Sequence, residues 1–298
     1  MFQIERKSGK ERTLRQHCVR LEETGGELEY LTFPLLEETG VVNHLFSTRL
    51  GGVSTGEFSS MNFSVDRGDK KENVLTNYGR IAKILGCRVE DMTASHQTHT
   101  TNIRRITAED RGKGILRERD YSDVDGMVTD EPGIVLVTFY ADCVPLYFVD
   151  PVHRAIGLAH SGWRGTVGRM GECMVKAMGR YFGSRPGDLY AAVGPSICQD
   201  CYEVSGDVAE RFRDMLGGAV ICPGKEAGKY QLDLWLSNEM ILRQAGIPRE
   251  HIAVTDICTC HNSGYLFSHR ASAGRRGNLG AFLSLKTPAA GGDGADKV

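Results

Sequence analysis

No stretch of this 298-residue chain approaches the roughly 18 consecutive apolar residues that a membrane-crossing helix needs, so no membrane span is expected. The opening MFQIERKSGKERTLRQ lacks the apolar core and small-residue cleavage site of a signal peptide, and a cytoplasmic location is the expectation. There is no long block of one charge either: 36 basic and 38 acidic side chains leave a formal charge of -2. That balance argues against nucleic acid or a membrane surface as partner. Among nine histidines no H-x-H pair occurs, which argues against the several-copper centre of a multicopper oxidase. What remains is an ordinary globular composition, 41% hydrophobic and 25% charged, with enough chain for a sizeable core. Nine cysteines is an odd number, and in a reducing compartment thiols serve metals, catalysis or packing rather than disulfide frameworks.

Along the chain, LEYLTFPLL is the one strand expected before Gly40, and VNHLFSTRLGGVSTGEFSSMNFS is a strand-like run passing into a long glycine-punctuated loop. Val74, Tyr78, Ile81 and Leu85 recur at three- and four-residue intervals, predicting a helix over 71–85 that Gly86 stops. ITAEDRGKGILRERDYS reads as a charged surface excursion. GIVLVTFYADC and RAIGLAH read as buried strands, followed by a turn and a helix near Thr166–Phe182. Two more helices are expected, one opened by Ser205 and one stopped by Gly246, then a last strand in GNLGAFLSLK. No repeat or linker is evident, so residues 1–286 are expected to form a single catalytic domain, with a disordered tail over 287–298.

Both buried runs stop at a potential metal ligand, Cys143 and His160, and the loop His96-Gln97-Thr98-His99 offers another. A catalytic zinc takes three such protein ligands and leaves a fourth position open. Packing offers an equally ordinary account: a cysteine closing an apolar strand is commonly a small buried hydrophobe, and a lone histidine a hydrogen-bonded core residue. Spacing alone does not decide between them.

FSTRLGGVSTGEFSSMNFS, HQTH, DGMVTD, ADCVPLYF, GLAHSGWRGT, GPSICQDCYEV and FSHR follow one another in this order between about Phe46 and Leu285. Together they resemble the purine nucleoside phosphorylase family long labelled laccase-domain or polyphenol oxidase proteins. The resemblance implies an α+β fold, a single-domain layered α/β/β/α sandwich with mixed sheets. It implies one Zn2+ per chain on His99, Cys143 and His160. It also implies phosphorolysis of adenosine, inosine, guanosine and methylthioadenosine with inorganic phosphate as co-substrate, and adenosine deamination as a second reaction. Deamination suits a zinc ion that brings the pKa of its water toward neutrality; for phosphorolysis the sequence gives no account of how zinc helps.

Further site residues carry a functional and a plainer reading side by side. Asp142, if extended, faces away from Cys143, which suits a partner behind the ligand or a surface ion pair. Gln97 lies two residues before His99, yet an exposed Gln in a polar loop is ordinary. Arg164, in GWRG at a helix start, is a phosphate candidate or a surface arginine. Arg49 and Arg270 are candidates because the family places its motif arginines around the pocket, and Asn62 holds substrate hydroxyls or its own turn. Gly274-Arg275 matches the family's Gly-Arg pair, with Arg276 beside it, whereas the charged insert and His269 depart from the pattern. Cys198-x-x-Cys201 and Cys258-x-Cys260-His261 have zinc-like or redox-pair spacing, but GPSICQDCYEV falls at the family's glycine-proline turn, so the resemblance implies packing for them. A monomer or weak homodimer is expected. The competing function is a metal-free cysteine hydrolase or deamidase with Cys143 as nucleophile and His160 as base, since the implied fold is similar to that of a bacterial toxin deamidase.

Overall fold

Strands too apolar to keep a wet face need cover on both sides, and VLVTFY, VPLYFVD and AIGLAHS find it inside two stacked sheets. The structure is a computed structural model and describes residues 1–287, so the tail expected over 287–298 lies outside the described residues but for Thr287. In chain order the strands are β1 (Arg15–Arg20), β2 (Glu27–Thr32), β3 (Val42–Ser47), β4 (Met92–Ala94), β5 (Ile103–Arg105), β6 (Gly126–Thr129), β7 (Val135–Tyr140) and β8 (Val144–Asp150). They continue with β9 (Ala155–Ser161), β10 (Tyr190–Val193), β11 (Glu203–Ser205), β12 (Ile221–Pro223), β13 (Lys229–Leu232), β14 (Ile252–Val254) and β15 (Leu279–Leu285). The helices are α1 (Pro34–Glu37), α2 (Lys71–Leu85), α3 (Trp163–Val167), α4 (Met170–Phe182), α5 (Gly206–Leu216) and α6 (Leu234–Gln244).

One sheet has the order β1-β2-β3-β15-β7-β4 and the other β14-β10-β8-β9-β6-β5; each mixes parallel and antiparallel neighbours. The period of two in β7 shows why they stack. Leu136 points into the core between the sheets with Phe46, Tyr147 and Ile156, while Val135 and Val137 point outward to Tyr78 and Ile81 of α2. On the far side, Leu146 and Phe148 of β8 meet Met174 of α4 and Trp235 of α6. The layers are therefore helix, sheet, sheet, helix, as the resemblance implies. A small sheet, β11-β13-β12, lies outside this stack. No helix among the described residues is long and apolar enough to cross a membrane.

Helix α2 spans the residues its periodicity predicts, and Gly86 closes it at φ +65° with its N–H on the carbonyls of Ala82 and Lys83. Other expectations need correction. LEYLTFPLL is not one strand: β2 ends at Thr32 and Pro34 opens α1, as proline's fixed φ favours. The polar segment RQHCVR forms β1, a partly exposed edge strand whose pattern carries little hydrophobic signal. The helix expected over 166–182 starts at Trp163 and breaks at Gly168-Arg169, where Arg169 turns left-handed at φ +58°. The charged excursion is not all surface: Ile106 and Asp110 are buried, and Lys113 joins Asp110 to Asp120 at 2.8 Å each.

Candidate metal and active site

The buried run that leads to Cys143 and the one that ends near His160 do not neighbour each other in one sheet. β7 belongs to one sheet and β9 to the other, and Ala141-Asp142-Cys143 is the turn by which the chain crosses between them. β8, which begins directly after Cys143, is the true neighbour of β9, with Pro145 opposite His160. The result is the same convergence by another route. His99, Cys143 and His160 each offer one donor atom, and the three atoms lie within 4.8 Å of one another. His99 Nε2 stands 4.0 Å from the Cys143 sulfur, and the two imidazole rings pack edge to face at 4.9 Å.

Asp125, at the start of DGMVTD, organises this group, a role that nothing in its local sequence signals. Its Oδ1 lies 2.8 Å from His160 Nδ1, so the ring's Nε2 is left for a ligand. Its carboxylate also accepts the backbone N–H groups of Thr98, His99 and Thr100 at 3.0, 3.1 and 2.9 Å. These bonds hold the His99 loop although His99 itself is left-handed at φ +66°, a conformation that costs a non-glycine residue free energy. Burial opposes ionisation of Asp125, but hydrogen bonding and charge from His160, with the loop N–H groups, bring its carboxyl down to about 2.

The same balance acts on the donors. Burial alone would raise the Cys143 thiol, yet the His160 charge and hydrogen bonds from His160 and His99 lower it to about 6. Burial would lower His160, whereas Cys143 and Asp125 outweigh it and raise the ring to about 9. A thiolate is thus favoured beside the charged His160 ring. Nitrogen and sulfur donors in a set of three, one histidine backed by a carboxylate, fit a tetrahedral zinc with one open position.

The three donors line a cavity of about 320 Å³ whose lining also includes Gln97, Phe139, Tyr140, Arg67, Arg119 and Arg276. It adjoins a second cavity of about 590 Å³, with which it shares Ser64, Asp66, His96, Arg119 and Phe139. His99 and Cys143 also border a small recess of about 80 Å³ bounded by Trp163, Arg164, Tyr202 and Asp142.

Most other sequence-predicted residues are engaged elsewhere. Asp142 is not extended but left-handed at φ +90°, and it binds neither Cys143 nor a histidine. Its carboxylate accepts from Thr259 Oγ1 at 2.6 Å and from the Arg270 N–H at 2.7 Å, fixing the turn that carries Cys143. Arg270 donates its guanidinium to the carbonyls of Cys201 and Glu203. Arg49 donates to the carbonyls of Ser59 and Ser263 and lies over Phe267, outside the cavity lining. Asn62 is fully buried and holds its own turn through Ser64 and Asp69. Gln97 does line the cavity, tied to Phe139 by N–H and carbonyl bonds at 2.7 and 2.8 Å. Arg164 lies over Trp163 at the small recess. The arginines that do line the main cavity are others: Arg119, from the charged insert, Arg276, beside the Gly-Arg pair, and Arg67.

Fold and site together define a protein of one α/β/β/α sandwich with a two-histidine, one-cysteine donor set on the floor of a basic cavity. The family model described as multi-copper polyphenol oxidoreductase laccase matches residues 43–286, and the chain belongs to that family. It is 37% identical over 246 residues to purine nucleoside phosphorylase YlmD of Bacillus subtilis, covering 81% of this chain and 87% of that one. Adenosine deaminase RL5, from an unknown prokaryotic organism, is 34% identical over 249 residues, with 82% and 94% covered. The crystal structure of YlmD from Geobacillus stearothermophilus superposes with a TM-score of 0.80 at 34% identity, covering 91% of this chain and all of that one.

Proposed function

We propose that this chain is a zinc-dependent purine nucleoside phosphorylase that converts adenosine, inosine, guanosine or methylthioadenosine and phosphate into free base and ribose-1-phosphate, with adenosine deamination as a side activity. The observation that carries the reading is the convergence of His99, Cys143 and His160 on a cavity that also gathers Arg67, Arg119 and Arg276. The names of the relatives support both activities. The protein acts as a cytoplasmic monomer or weak homodimer, with one zinc per chain at this site.

Phosphorolysis replaces the bond between ribose C1′ and the base nitrogen with a bond to a phosphate oxygen, so an anion must be held against the sugar. Guanidinium forks do this well. Burial, with Arg67 nearby, lowers Arg276 to about 10, which still leaves it a cation at neutral pH. The adjoining cavity offers apolar and aromatic walls, Leu75, Ile115, Tyr121 and Phe139, wide enough for a purine. Zinc held by the three donors supplies a Lewis acid and a nucleophile usable near neutral pH. Asp125 fixes the proton on His160 Nδ1, which keeps Nε2 directed to the donor set.

Chromatography of products from zinc-loaded protein and adenosine, with and without phosphate, tests the proposal. Adenine and ribose-1-phosphate that require phosphate, inosine formed without it, and loss of both in Cys143→Ala are expected. Absence of all products would overturn it.

One observation favours a second reading. Asp125, His160 and Cys143 form an orienting acid, a base and a low-pKa thiol in the order a metal-free cysteine hydrolase or deamidase needs. Iodoacetamide separates the two: zinc loading protects Cys143 in the phosphorylase, whereas undiminished inactivation of a protein purified without metal selects the hydrolase. An oxidase with several coppers fits less well, because His99, Cys143 and His160 make a single three-donor group at the cavity.

A further inference from the structure

Behind the turn that carries Cys143 lies a second convergence of donors. Two chain segments meet there, Ser196–Cys201 and Cys258–Asn262, joined by a parallel bridge between Ser196 and Cys258 and by a bond from the Thr259 N–H to the Ser196 carbonyl at 3.1 Å. The sulfur atoms of Cys198, Cys201 and Cys258 and one ring nitrogen of His261 all lie within 4.8 Å of one another. None of the three thiols is in a disulfide. The resemblance favours packing for these cysteines despite their zinc-like spacing, but three sulfurs and an imidazole gathered at one point are more than packing requires.

The geometry points to a second, structural metal site in which Cys198, Cys201, Cys258 and His261 bind a zinc-class divalent cation. Each segment contributes its pair at a spacing of two intervening residues, C-x-x-C from one turn and C-x-x-H from the other, a pattern that suits structural zinc. Around a tetrahedral ion with zinc–sulfur bonds of ~2.3 Å, neighbouring ligand atoms are about 3.8 Å apart. Donors already within 4.8 Å need only a small contraction. Four protein ligands leave no open position, so the site is structural rather than catalytic. Cys198 and Cys258 are buried, and the Cys198 N–H already points to the Cys258 sulfur at 3.3 Å, the kind of N–H to sulfur contact that stabilises a bound thiolate.

The position gives the site a purpose. Thr259, inside the C-x-x-H turn, donates to Asp142, and the Ile197 N–H, next to the C-x-x-C turn, donates to the Asp142 carbonyl at 3.0 Å. The Cys201 carbonyl accepts Arg270, whose N–H returns to Asp142. A cation clamping the two turns would therefore steady the left-handed Asp142 and, through it, the placement of Cys143.

Elemental analysis of protein produced with excess zinc tests this inference independently of the catalytic reading. Two zinc per chain are expected in the wild type, and one in either Cys143→Ser or Cys201→Ser. In the Cys143→Ser background, cobalt substitution should give the charge-transfer absorption of a multi-thiolate tetrahedral site, and His261→Ala, at an accessible position, should weaken and shift it. One metal per chain in both wild type and Cys143→Ser would support this site and defeat the catalytic one. One in the wild type falling to none in Cys143→Ser, or a disulfide among these cysteines found by mass spectrometry, would overturn the inference.

Discussion

A single oxygen of Asp125 fixes two of the three donors at the central site: Oδ1 lies 2.8 Å from His160 Nδ1 and 3.1 Å from the His99 N–H that it accepts. The carboxylate is fully buried, so its charge is felt by the histidine rather than by water. Asp125→Asn keeps the shape but loses the charge. Loss of such a partner behind a metal-bound histidine weakens metal binding by roughly 10–100-fold, which competition with a chromophoric chelator would measure. An affinity unchanged by the substitution would show that His160 is not held for a metal.

Phosphate recognition separates arginines that line the cavity from those outside its lining. Losing a charge-assisted bond costs about 1.5–3 kcal/mol, so Arg276→Ala should raise the KM for phosphate roughly tenfold or more. Arg270→Ala, which frees the carbonyls of Cys201 and Glu203, should instead lower the melting temperature with little change in that KM. Steady-state kinetics with phosphate as the varied substrate, run beside thermal melts, would expose a reversal of these roles.

Cys143 and His160 are legible as candidate donors because each is a rare residue type closing a strongly patterned segment, whereas His99 sits in a polar loop and is singled out by the resemblance. α2 and the buried strands were legible for a related reason, their periodicity. What stayed hidden depends on long-range pairing. β1 is a polar edge strand, recognisable only through β2, and the crossing at Ala141–Cys143 depends on which sheet each flanking strand joins. The arginines show the same limit. Arg49 and Arg270 stand in motifs yet lie outside the cavity lining, while Arg119 reaches the cavity from an insert whose charge suggests surface. Asp125 is not legible as part of the site because the five hydrogen bonds to its carboxylate come from four residues 25 to 35 positions away.

Stability should fall in mild acid through His44. The Phe33 N–H donates to its Nε2 at 2.8 Å, and burial lowers the ring from the ordinary 6.5 to about 4. Between these values the unfolded chain binds a proton that the folded one refuses. The contribution is therefore complete above about 6.5 and is lost as the pH drops toward 4, by roughly 3 kcal/mol over the whole window. Urea unfolding at pH 7.5 and 5 should show His44→Gln losing up to about 2 kcal/mol less than the wild type between the two. Equal losses in both proteins would mean that another group carries the acid sensitivity.

Gly162 offers a way to disturb the donors without removing one. It caps the start of α3 at φ -74° and ψ -175°, a conformation open to any residue, so alanine there meets no backbone penalty. The difficulty is space: a Cβ at this position would come within 3.0 Å of His99 Cδ2 and 3.1 Å of the Cys143 sulfur, closer than van der Waals contact allows. Overpacking of this kind costs about 1–3 kcal/mol, and here the strain falls on two of the three donors. Gly162→Ala should therefore fold normally while its zinc affinity drops roughly tenfold or more and turnover falls with it. Zinc content after dialysis against a buffered zinc series would measure the loss. Full wild-type occupancy would show that the donors stand further apart when the ion is bound, and that the glycine serves the turn into α3 rather than the metal.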